Sequence, residues 1–134
     1  MALRRPDQRL LANAFLAVAA ARVRLAVLPF HAGRGYTCRR ARKRAPSSAD
    51  RVAWAVDLAS RHLGNATCLA RALAAHGMLA RRGLASCISI GVAAGKSQDK
   101  ENGIVAHAWL ETGGRILLGG PDVGRYTLLL KWCN

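Results

Sequence analysis

Two stretches of the 134-residue chain carry side chains that could do chemistry together. The first is Asn65-Ala66-Thr67-Cys68-Leu69-Ala70-Arg71-Ala72-Leu73. It reads as the capped start of a helix, with Asn65 or Thr67 accepting a backbone N–H and a thiol in the first turn. The positive end of the helix dipole favours the thiolate there, and the thiolate is the nucleophilic form of cysteine. The second is Ile104-Val105-Ala106-His107-Ala108-Trp109-Leu110-Glu111, an apolar, strand-like run with a histidine in its middle. A cysteine and a histidine so placed point to nucleophilic catalysis, in which the imidazole takes the thiol proton. Taken singly, Cys68 reads as a small buried hydrophobe and His107 as a satisfied core imidazole. The pairing raises the chemical reading above the bland one.

The elements that must position these groups follow from periodicity and breakers. Residues 7–28 predict one helix, apolar around much of its surface through Leu10, Leu11, Ala14, Phe15, Val18, Ala21, Val23 and Leu25, and ended by Pro29. Between Gly33 and Ser48 the composition turns to Gly, Arg, Lys, Pro and Ser, a solvated linker. A second helix starts at Ser47, Ser48 or Asp50 and stops at Gly64, with Val52, Ala55, Val56, Ala59 and Leu63 on its apolar face. The helix from Cys68 to about Arg82 is expected to keep Arg71, Arg81 and Arg82 in water and to end at Gly83. Cys87 to Val92 then alternates as a strand, 94–103 reads as a polar loop, and the histidine strand follows. Gly113-Gly114 turns the chain into Arg115 to Leu118, and a last strand, Tyr126 to Trp132, closes an antiparallel sheet. The class is α+β, helices first. The expected organisation is an N-terminal helical segment at 1–32, a basic linker at 33–48 and a catalytic domain at 49–134.

Composition limits the partners. The formal net charge of +14 attracts anionic partners, yet no interleaving of aromatic and basic residues accompanies it, so no nucleic-acid role is expected. Arg22 and Arg24 interrupt the apolar stretch of the first helix short of the ~20 residues a membrane span needs, leaving contact with a membrane surface as its one membrane role. Cys38, Cys68, Cys87 and Cys133 contain no C-x-x-C pair, which argues against a zinc ribbon or a thioredoxin motif. They read as free thiols in a reducing cytoplasm, with Cys87 and Cys133 structural and Cys38 an exposed linker thiol. His31, His62 and His76 show no companions that would make them ligands or bases.

Thr67-Cys68-Leu69-x-Arg71-Ala72-Leu73, Arg81-Arg82-Gly83, Ile90-Gly91-Val92 and Ala106-His107-Ala108-Trp109-Leu110-Glu111 together resemble the transglutaminase-like cysteine peptidases of lasso-peptide biosynthesis, the leader peptidases. The likeness extends to the first helix and its Leu28-Pro29-Phe30 end. It implies a papain-like or transglutaminase-like core and cleavage of a ribosomal precursor peptide between leader and core. It also implies no cofactor and no metal, a separate PqqD-like leader-recognition protein and a lasso cyclase downstream. On this resemblance Cys68 is the nucleophile and His107 the general base and acid. The family places an acidic residue on the strand returning after the histidine. Across a two-residue turn, the partners of His107 fall near Gly119 and Gly120, which have no side chain for the task, so Asp122 is the expected third member. Glu111 shares a strand face with His107 but lies four residues along, roughly 13 Å at about 3.3 Å per residue. Two other readings compete: acyl transfer to an amine through the same thioester, and a basic binding module without activity.

Overall fold

The structure, a computed structural model, describes residues 4–27, 46–64, 67–97 and 100–134. The basic linker with Cys38 and His31, and the capping candidate Asn65, lie outside these residues. Three helices come first: α1 (Arg5–Val27), α2 (Pro46–His62) and α3 (Cys68–Arg81). A four-stranded antiparallel sheet follows, β1 (Cys87–Ser97), β2 (Lys100–Thr112), β3 (Arg115–Leu118) and β4 (Thr127–Cys133), with a 3-10 turn at Pro121–Arg125 before the last strand. The strand order is β3-β2-β1-β4. This is the α+β arrangement read from the sequence.

Helical spacing decides what is buried. Leu10, Ala14, Val18 and Ala21 recur along one side of α1 and meet Val52, Val56 and Ala59 of α2 and Ala72, Ala75 and Leu79 of α3. Ile88, Ala108, Leu110 and Leu118 of the sheet close the same core. Alanine at so many contact positions lets the helices approach closely, and α1 shares this core with the elements that carry the candidate site. A Schellman closure ends α3: the Leu84 N–H donates to Leu79 O and the Gly83 N–H to Ala80 O, with Leu79 and Leu84 both buried.

Several expectations need correction. The polar segment 94–103 is largely strand, because β1 and β2 continue as a long hairpin to Ser97 and Lys100. Hydrogen bonding along two adjacent antiparallel strands outweighs the turn-prone composition there. Arg71 is half-buried rather than wet, and its guanidinium pairs with Asp57, which also holds Arg61. Cys87 and Cys133 face each other directly across β1 and β4, their Cα atoms 4.1 Å apart, and are joined in a disulfide. They are therefore not free thiols, and they lend no support to a reducing cytoplasm. Among the described residues no helix is long and apolar enough to cross a membrane.

His76 has a structural hydrogen-bond partner. It is buried on α3, with Nδ1 2.7 Å from Ser86 Oγ, and burial lowers its pKa from the ordinary histidine value. The neutral ring is favoured in the fold, so the unfolded chain binds its proton more readily. Stability attributable to His76 is complete above about pH 6.5 and declines as the pH falls from there toward the lowered native value, with a limiting slope of about 1.4 kcal/mol per pH unit for one proton. Urea unfolding at pH 7 and pH 5.5 should show this loss, and His76→Gln should flatten it. An unchanged pH dependence in the variant would refute the assignment.

Candidate functional site

Thr67 fixes the start of α3. Its side-chain oxygen accepts the Ala70 N–H at 3.2 Å and its carbonyl accepts the Arg71 N–H. Of the two capping residues open in the sequence, Thr67 therefore performs the capping, and Cys68 becomes the first helical residue. Cys68 is half-buried against the margin of the core and is the one free cysteine among the described residues.

His107 sits in β2 opposite Gly91 of β1. Alternation along the strand sends Ala108 and Leu110 into the helical core and turns His107, Trp109 and Glu111 the other way. There the imidazole joins an aromatic group, its centroid 5.1 Å from the Tyr126 ring and 6.2 Å from Trp109. Gly91 makes room for the group, since a Cβ at that position would lie 2.8 Å from Tyr126 Cβ and 3.0 Å from the Trp109 ring. Trp109 Nε1 donates to Glu111 Oε1 at 3.1 Å, and Lys131 Nζ bonds Glu111 Oε2 at 2.8 Å. Those bonds hold the Glu111 carboxyl below its ordinary pKa, Lys131 contributing most. Glu111 thus serves Trp109 and Lys131.

Among the described residues the imidazole has one hydrogen bond, from Nε2 to the carbonyl of Gly119 at 2.7 Å. A carbonyl only accepts, so Nε2 carries a proton, and in the neutral form of the ring Nδ1 is the nitrogen with the lone pair. Gly119 was discounted in the sequence because it has no side chain, yet its backbone meets the ring. The pairing of β2 with β3 slips between Leu110 and Glu111 and ends at Leu118, which frees Gly119 from the ladder. Asp122 lies in the 3-10 turn that Gly120 caps, and its side chain is outside the described residues.

α3, which carries Cys68, packs on the face of β2 that presents Ala108 and Leu110, whereas His107 leaves β2 on the opposite face and bonds Gly119. Among the described residues no hydrogen bond links Cys68 Sγ to the imidazole. Tyr126 was the residue missed in the sequence: it stood at the beginning of a predicted strand, and nothing in its neighbours marked it as a wall for His107.

The family model described as Transglutaminase-like superfamily matches residues 15–131. No curated protein and no solved structure matches the chain.

Proposed function

Because the chain belongs to the transglutaminase-like superfamily, which includes cysteine peptidases and acyltransferases, we propose that it is a cysteine endopeptidase that removes the leader from a ribosomally made lasso precursor peptide. The observation that carries the reading is the state of His107. With Nε2–H engaged by Gly119, the ring is locked in the tautomer whose Nδ1 accepts a proton, as a base for a thiol requires. The free thiol at the first position of α3, on a helix packed against the same strand, supplies the nucleophile.

In the proposed reaction, Nδ1 of His107 takes the proton of Cys68, and the sulfur attacks the scissile carbonyl carbon. The tetrahedral adduct collapses with cleavage of the C–N bond, and the imidazolium gives its proton to the departing amine. Water then loses a proton to Nδ1 and attacks the thioester. Collapse of that second adduct expels the sulfur, which recovers the proton, and frees the leader carboxylate. The backbone N–H of Cys68 is the oxyanion donor, since it precedes the first intrahelical bond, the one from Arg71 to Thr67.

In this reading a PqqD-like leader-recognition protein delivers the substrate and a lasso cyclase acts next. Two surfaces suit docking. Leu16 and Val23, seven residues apart on α1, are both exposed on one side of that helix. Arg5, Arg9 and Arg82 line a cavity of about 360 Å³, complementary to an acidic segment. The deciding measurement is mass spectrometry of a precursor peptide incubated with the protein and the leader-recognition partner. Separate leader and core, the leader ending in a carboxylate, support the proposal. An amide-linked adduct with an added amine establishes acyl transfer instead, and an unchanged precursor with an inert thiol leaves a binding module.

A further inference from the structure

We infer that the backbone carbonyl of Gly119 is the positioning group for His107, doing with a neutral acceptor what an acidic side chain does elsewhere; this rests on the Cys68–His107 reading. Its 2.7 Å bond to Nε2 is the sole hydrogen bond of the ring among the described residues. The four carboxylates whose side chains are described are engaged elsewhere, Asp7 with Arg51, Asp50 with Arg115, Asp57 with Arg61 and Arg71, and Glu111 with Lys131, while the side chain of Asp122 lies outside the described residues.

The carbonyl is aimed by a backbone that admits only glycine. Gly119 has φ +116°, and a Cβ there would stand 2.3 Å from Trp109 Cβ and 2.9 Å from Trp109 Cα. The second of those atoms is backbone and cannot step aside. Trp109 therefore does two things: it flanks the imidazole and it fills the space that keeps residue 119 without a side chain. Tyr126, at the end of the 3-10 turn just before β4, flanks the ring as well. The imidazole is thus held by a bond at Nε2 and by rings beside it, and Nδ1 is the nitrogen that Gly119 does not engage.

A carbonyl fixes the tautomer as a carboxylate would, but it opposes the imidazolium with a dipole rather than a full charge. The test reads that tautomer directly, on the full chain. In protein labelled with 15N-histidine, above the pH at which the ring titrates, His107 should show a protonated Nε2 and a bare Nδ1, with the Nε2 proton protected from exchange. The 13C carbonyl resonance of Gly119 should move as His107 titrates. Asp122→Asn should leave the Nε2 proton signal in place. Gly119→Ala should abolish that signal and lower kcat on the order of a hundredfold with KM little changed.

Should Gly119→Ala fail to fold, the carbonyl titration and Asp122→Asn still decide. A Gly119 carbonyl indifferent to His107, or loss of the Nε2 signal in Asp122→Asn, overturns the inference. The expected tautomer in a protein that leaves precursor peptide uncut refutes the peptidase reading while keeping the Gly119 bond.

Discussion

Cys68→Ala and His107→Ala are each expected to lower precursor cleavage by about three orders of magnitude or more, because a nucleophile and its base act as a unit and neither works alone. The two variants differ in a second readout. In the parent protein, iodoacetamide at neutral pH should label Cys68 rapidly, with His107 acting as the base that takes the thiol proton. His107→Ala should slow that labelling, with the modified site identified by peptide mapping so that Cys38 is not mistaken for it. Thr67→Ala removes the cap on Ala70 while keeping both reactive groups, and is expected to cost about 1 kcal/mol of stability. Cleavage that survives Cys68→Ala would end the proposal outright. Labelling at Cys68 that is indifferent to His107 would show that the two groups do not meet in solution, since no hydrogen bond joins them in the described structure.

Reduction of the Cys87–Cys133 bond should cost the fold about 2–4 kcal/mol. The bond spans 46 residues, a separation at which cross-linking removes considerable freedom from the unfolded chain. It also ties the end of β4 to the start of β1 beside Asn134, whose side chain accepts the Ser86 N–H at 2.7 Å and whose own N–H donates to Ser86 O at 3.2 Å. The urea midpoint should fall when dithiothreitol is added, and the double variant Cys87→Ser/Cys133→Ser should match the reduced protein and ignore the reductant. Mass spectrometry of alkylated, unreduced protein should recover a Cys87–Cys133 linked peptide. A parent protein whose midpoint does not respond to reductant would return both residues to the free-thiol reading.

The parts of this molecule that were legible in the sequence are those decided within a few residues. Thr67 and Cys68 could be placed at a helix start because capping is a matter of three or four consecutive residues. Helix periodicity marked Leu10, Ala14, Val18, Val52, Val56 and Ala59 for burial, and all six are buried. Alternation assigned Ile88 and Ile90 to one face and His107 and Trp109 to a shared parity. The long β1–β2 hairpin escaped because the segment's composition is that of a turn and its pairing is not local.

By itself, then, the sequence determined the α+β class, the helix that begins at Cys68, the strand that carries His107 and the superfamily to which these motifs belong. Tertiary structure alone decided what each of these residues faces. The Cys87–Cys133 bond depends on the register of β4 against β1, which slips between Ile90 and Gly91. Tyr126 meets His107 because Gly91 lets the rings approach. The hydrogen bond at Nε2 comes from a carbonyl, a group every residue possesses and no sequence position advertises. Only the path of the backbone after β3, bent at Gly119 against Trp109, gives that carbonyl its direction.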